Sequence, residues 1–162
     1  RGVAESGRAD QIALYTGNDD SIIPDLLSEY HVPGPDGNVT LRFAGGLLGQ
    51  WAVGTRAAVG MLDLAHRASG GDNHARAALG RISIDLLDLN QALFDPANNF
   101  HGVIAGVHEL LRQQGLLAGT WCLDPSASLS PGQATEITRV RRTYPHLCDS
   151  EFIATNLEEW LS

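Results

Sequence analysis

Ile12-Ala13-Leu14-Tyr15-Thr16-Gly17-Asn18-Asp19-Asp20 is an apolar run that stops at a glycine and turns polar just before a helix-like stretch, Ile22 to Tyr30. A second unit repeats the plan: Val39-Thr40-Leu41-Arg42-Phe43-Ala44, then Gly45-Gly46, then a helix expected from about Gln50 to Arg67. Two strand-to-helix units in a row, each with glycine at the strand's carboxyl end, predict an α/β chain. Its neighbouring parallel strands should lie near Ile12 to Thr16 and Val39 to Ala44. In such folds the loops that follow the strands carry the site. Between the units, Val32-Pro33-Gly34-Pro35-Asp36-Gly37-Asn38 reads as a turn-rich connection, because proline and glycine do not continue a helix.

In the helix after the second strand, Trp51, Ala58, Val59, Leu62 and Ala65 are compatible with a packed face, and Ser69-Gly70-Gly71-Asp72 ends it. Beyond Asp72 the period is helical. Leu79, Ile82, Leu86, Leu89 and Leu93 form the narrow stripe of a helix packed along another helix. Asp95-Pro96 breaks it. Val103, Val107, Leu110, Leu111 and Gln114 mark the next helix, closed by Gly115. Ser130-Pro131-Gly132-Gln133 has a capping serine, proline at the first helical position and glutamine at the third. Asp149 is expected to cap a last helix whose apolar face is Phe152, Ile153, Leu157, Trp160 and Leu161. The expected organisation is two βα units in residues 1–71 and a helical region in residues 72–162, with more than half of the residues outside the two strands helical.

Composition narrows the partners. The net charge of −8 provides no excess of cations to neutralise phosphate, so nucleic acid is not expected. No apolar run approaches the roughly eighteen residues of a membrane span. Cys122 and Cys148 read as reduced thiols, and the cytoplasm is the expected location. All 11 basic residues are arginine, so no lysine side chain of this chain can form a Schiff base.

The order of these stretches resembles the carboxyl-terminal half of dihydrodipicolinate synthase and N-acetylneuraminate lyase-like proteins, over nearly the whole chain. Ile12 to Asp20 is similar to the seventh barrel strand of that family, with its Gly-Asp/Asn-Asp ending. Asn38 to Trp51 sits where the eighth strand and its loop belong, although Ala44-Gly45-Gly46 replaces the common Gly-x-x-Ser ending. Leu93-Phe94 followed by Asn98-Asn99-Phe100-His101 resembles the Leu-Phe then Asn-Pro segment of the family's helical extension. Asn99 stands for the proline, and Val103 lies near the place of an expected lysine. Leu123-Asp124-Pro125 and Leu129-Ser130-Pro131 resemble the entry to the penultimate helix. The resemblance implies the last two βα units of a (β/α)8 barrel followed by a helical extension. It also implies a class I aldolase-like lyase or synthase acting on a 2-oxo acid or similar carbonyl compound, a homo-oligomer when full length. The imine-forming lysine and the catalytic tyrosine of that family would precede Arg1, so no catalytic residue is assigned within this chain.

The residues expected near substrate are Gly17, Asn18, Asp19, Gly45, Gly46 and Leu47, at the carboxyl ends of the two strands. Gly17 and Asn18 read as pocket lining. Asp20 reads as the cap of the following helix. Asp19 and Asp20 do not make a metal pair, since neighbours on a strand end point to opposite sides. Gly45-Gly46-Leu47-Leu48-Gly49 could present free N–H groups to a phosphate or carboxylate, or could be a tight turn. Arg42 could face an anion or pair with a surface acid. His101 and His108 are spaced for one helix face but complete no zinc pattern. No cysteine pair has zinc spacing, and there is no serine-hydrolase elbow. Tyr15 reads as a core residue. No cofactor or metal is expected. The rival readings are a non-catalytic helical interaction module and a barrel enzyme working without an imine.

Overall fold

The computed structural model describes residues 1–47 and 49–162; Leu48, within the glycine-rich loop, lies outside the described residues. A short helix α1 (Gly2–Glu5) leads to strand β1 (Leu14–Thr16), helix α2 (Ile22–Leu27) and strands β2 (Tyr30–Gly34), β3 (Gly37–Leu41) and β4 (Phe43–Gly46). Helices α3 (Thr55–Ser69), α4 (Asn73–Phe94), α5 (Val103–Gln113), α6 (Gln133–Thr143) and α7 (Ser150–Trp160) follow, joined by loops and short 3-10 turns.

β1 and β4 pair in parallel, with Leu14 opposite Phe43, Tyr15 opposite Gly45 and Thr16 opposite Gly46. The strand expected from Val39 to Ala44 is split at Arg42. Its first half belongs to β3, which pairs antiparallel with β2 in the register Tyr30–Leu41, Val32–Val39 and Gly34–Gly37. The supposed connection at 32–38 is therefore a hairpin closed by Pro35-Asp36, where proline presets the backbone angle of the turn. Phe43, just past the split, meets the Tyr30 ring edge-on at 5.5 Å.

Among the described residues the chain is a mixed α/β protein, 58% helical, with four short strands in two two-stranded sheets. This overturns the expected carboxyl-terminal portion of a (β/α)8 barrel. A barrel closes only when every strand has a hydrogen-bonded neighbour on both sides. Here β1 and β4 have one neighbour each, and the chain between them turns back on itself as an antiparallel hairpin.

Two compact units can be distinguished: Arg1–Leu48 with Leu62–Ser83, and Gly49–Met61 with Ile84–Ser162. In the first, Ala4, Ile22, Ile23, Leu26 and Leu41 are buried, together with Ala65, Ala68, Ala75 and Leu79 of the helices. In the second, Leu86, Leu89 and Leu93 of the expected stripe are buried with Val53, Leu110, Ile137 and Val140. The α3 face differs from expectation: Ala58, Met61, Ala65 and Ala68 are its buried positions, and Val59 is exposed. On α7 only Ile153 is buried, and Phe152, Trp160 and Leu161 face solvent.

A buried polar node fixes the second unit. Asp95, 6% exposed, accepts from the Ser130 hydroxyl (2.6 Å), the Asn98 amide (2.6 Å) and the Gly102 N–H (3.1 Å). Gln133 accepts from the Ser130 N–H at 3.1 Å and donates to the carbonyls of Ala92, Leu93 and Gly102. The start signal at Ser130 is therefore corrected: α6 begins at Gln133 with Gly132 at its N-cap, and the serine hydroxyl goes to Asp95, although the Gln133 side chain still reaches back to the Ser130 N–H. Asp149 also departs from expectation. It precedes α7, but its carboxylate accepts from the Arg56 and Ala57 N–H groups (2.6 and 2.9 Å), capping α3.

A two-stranded pair is marginal by itself, and local opening is easiest where few apolar side chains are buried. The amides of β1 and β4 are therefore expected to exchange with solvent at least about tenfold faster than those of Leu86 to Leu93. Native-state hydrogen exchange checks this; equal protection would mean that the strand pair opens only with the helices.

Candidate functional site

The parallel register sets the geometry at the strand ends. The Leu47 N–H donates to the Thr16 carbonyl at 2.8 Å, carrying the ladder one step past Gly46. A Cβ placed on Gly17 would lie 3.8 Å from the Leu47 carbonyl oxygen, so the two loops run side by side. Gly17 and the polypeptide of Gly45, Gly46 and Leu47 are thereby brought together, with Asn18 and Asp19 following directly in the chain.

A relay of hydrogen bonds fixes the start of the first loop. The Asn18 N–H donates to Thr16 Oγ1 (3.2 Å), and that hydroxyl donates to Asp25 Oδ2 (2.5 Å). Asp25 Oδ1 in turn accepts from the Tyr30 hydroxyl (2.9 Å). Thr16 is buried, which makes its hydroxyl dependent on this pairing. Hydrogen bonding to Asp25 raises the Tyr30 phenol, which therefore stays a proton donor. The side chain of Asn18 is exposed and makes no hydrogen bond among the described residues.

Asp19 lies half-buried in a 3-10 turn, Asp19–Ser21. Burial pushes its carboxyl up from the ordinary value, and the neighbouring charge of Asp20 adds to the shift. Asp20 is exposed and makes no capping hydrogen bond; Ser21 takes the cap position of α2, also without a side-chain bond. The expected Asp20 cap is thus corrected.

Tyr15 was expected in the core and is 58% exposed. Strand alternation explains it: Leu14 and Thr16 point inward, which turns Tyr15 outward. A Cβ on Gly45 would fall 2.7 Å from Tyr15 Cε1, so glycine leaves the room that the phenol ring occupies. The ring edge beside Gly45 adds a proton-bearing group next to the strand ends. The alternation within Leu14-Tyr15-Thr16 was the signal that could have found it.

Other candidates lie elsewhere. Arg42 pairs with Glu29. His101 sits in the turn before α5, so it shares no helix face with His108, whose Nδ1 is buried and unpartnered among the described residues. Among the described residues no cluster of three His, Cys, Asp or Glu side chains could hold a metal. Cys148 is fully buried, and burial pushes its thiol up to about 11, too high for a thiolate nucleophile near neutral pH. The strand ends therefore offer an amide, a carboxyl of raised pKa, a phenol and glycine-lined backbone. They can hold a polar ligand and move a proton; they contain no amine.

No protein-family model, curated protein or solved structure matches the chain. No helix among the described residues is long and apolar enough to cross a membrane.

Proposed function

We propose that this chain supplies one wall of the substrate site in a class I aldolase-like lyase or synthase. Its substrate is a 2-oxo acid or similar small carbonyl compound, and the imine-forming lysine is carried outside residues 1–162. The observation that supports this reading is the parallel register that sets Gly17-Asn18-Asp19 beside Gly45-Gly46-Leu47. Imine chemistry needs a neutral amine to add to the carbonyl carbon and expel water, leaving an iminium that accepts the electron pair of the breaking C–C bond. With no lysine in the chain, that amine comes from elsewhere. In this reading Asn18 donates to the substrate's carboxylate or carbonyl, glycine backbone permits close approach, and Asp19 exchanges a proton. A cytoplasmic location and a homo-oligomeric full-length protein, with no nucleic-acid partner, belong to the same proposal.

A second reading, a helical interaction module, is favoured by the outward face of α7, where Phe152 and Trp160 stack edge-on at 5.5 Å in solvent. Borohydride trapping separates the two. With pyruvate, the 162-residue chain is expected to give no adduct at a side-chain amine, and a polypeptide that includes the lysine is expected to give one. A stoichiometric side-chain adduct on the 162-residue chain would contradict the lyase reading, and so would the absence of any adduct on the longer polypeptide.

A further inference from the structure

Helix α6 carries Arg139, Arg141 and Arg142 near its end, in a chain whose formal net charge is −8. Their surroundings differ. Arg139 is neutralised by Asp88, at 2.8 and 2.9 Å, and by Glu136, at 2.8 Å. Among the described residues the one hydrogen bond of Arg141 goes to the Ser150 hydroxyl, at 3.4 Å. Arg142 makes no hydrogen bond or ion pair among the described residues.

Arg141 and Arg142 are both among the residues that line an open cavity of about 420 Å³ between α5 and α6. Helical spacing places Thr135, Thr138 and Arg142 along one face of α6, at intervals of three and four residues. Across the cavity, Arg112 uses Nε and Nη2 on the carboxylate of Glu109, at 2.7 and 2.8 Å, which leaves Nη1 open. Gln113 ties the two walls together by donating to Glu109 (2.9 Å) and to Thr138 Oγ1 (3.0 Å). Thr135 is exposed, with its hydroxyl uncommitted.

Three arginines and one glutamate therefore line the cavity, and that one carboxylate is already held by Arg112. The excess is two positive charges. Planar guanidinium forks match the oxygen spacing of phosphate and carboxylate groups, and their planarity reduces the entropy lost per hydrogen bond formed. The geometry points to a binding site for a small multivalent oxyanion, a phosphate ester or a polycarboxylate, seated between Arg141, Arg142 and the open edge of Arg112. The cleft is built by α5 and α6 alone, so its test is independent of the lyase reading.

Calorimetric titration of the 162-residue chain with pyrophosphate and with citrate at low salt tests this, with acetate as the monovalent control. Saturable binding of at least one of the two multivalent probes is expected, tighter for pyrophosphate if the site is made for phosphate esters and for citrate if it is made for polycarboxylates. The double variant R141Q/R142Q should weaken it by about tenfold or more, and Arg81→Gln on exposed α4 should leave it unchanged. A measurement that needs no variant is the shift of the Arg141 and Arg142 Nε–Hε resonances with probe. Absence of saturable binding at millimolar probe, equal binding in R141Q/R142Q and Arg81→Gln, or resonances that stay fixed while heat is released would each overturn the assignment.

Discussion

Replacing Asp95 by alanine is expected to destabilise the protein by about 2 to 4 kcal/mol, one of the largest single-residue effects in the chain. The carboxylate is buried and accepts three hydrogen bonds, and its removal leaves the buried Ser130 hydroxyl and Gly102 N–H without an acceptor, while the exposed Asn98 amide can turn to water. Asp95 also sits at φ 56°, a left-handed conformation that Asp and Asn tolerate better than Ala. Asp95→Asn, which keeps one acceptor oxygen and the backbone preference, should lose much less. Urea unfolding monitored by circular dichroism checks both. A loss below about 1 kcal/mol for Asp95→Ala would mean that the node does not hold the helices together.

The same node gives a pH dependence of known sign. Burial alone would raise the Asp95 carboxyl, but hydrogen bonds from Asn98, Ser130 and the Gly102 N–H outweigh it and hold it below the ordinary value. A folded-state pKa that is depressed contributes stability that is fully present above the unfolded value, about 3.9 for Asp. That contribution is lost as pH falls through the lowered folded value. Asp95→Asn should therefore flatten the fall in stability below about pH 4.

The second large effect comes from Gly106. Helix propensity alone favours Gly→Ala by about 1 kcal/mol. At Gly106 packing wins instead. A Cβ there would run into the Leu93 carbonyl oxygen and lie 2.7 Å from Gln133 Nε2, the group that donates to Ala92, Leu93 and Gly102. Backbone cannot step aside as a side-chain tip can, so Gly106→Ala should cost about 2 kcal/mol or more. Gly60 and Gly80, where a Cβ would meet nothing within 4 Å, are the controls. Gly→Ala at either should stabilise by about 0.5 to 1 kcal/mol. The opposite sign at Gly106 is the expected result of thermal unfolding, and a gain there would refute the close approach of α5 to the end of α4.

Sequence reading succeeded where a single local period decides the structure. The stripe from Leu79 to Leu93 and the stop at Asp95-Pro96 follow from helical spacing and from proline. The parallel strand pair is recovered in part: only the end of the expected second strand, from Phe43, joins β1, while Val39 to Leu41 pair antiparallel with β2. It failed where partners are remote. Nothing near Asp149 indicates that its carboxylate serves the start of α3, 93 residues away. Ser130 has the local pattern of a cap, yet a buried carboxylate 35 residues back claims its hydroxyl. The hairpin was partly readable: Val32 and Val39 flank Pro35-Asp36-Gly37 at mirror positions. Pro33 lies inside β2, and a proline there masks the alternation that would otherwise mark a strand. At the candidate site, the neighbourhood of Gly17 and Gly46 was legible from the two units, whereas the Tyr15 ring over Gly45 required the inward and outward alternation of a three-residue strand.

The most direct measurement of the proposed lyase reading is borohydride trapping with pyruvate in the longer polypeptide that this reading requires, comparing the unaltered protein with Asn18→Ala. The Asn18 side chain is exposed and makes no hydrogen bond among the described residues, so its loss should leave unfolding unchanged and report on ligand contact alone. Expected is a reduced imine on a lysine outside residues 1–162, with the pyruvate concentration for half-trapping raised about tenfold or more by the substitution. An unaltered protein that forms no lysine adduct, or an Asn18→Ala variant that traps at the same pyruvate concentration, would contradict the placement of the substrate at the ends of β1 and β4.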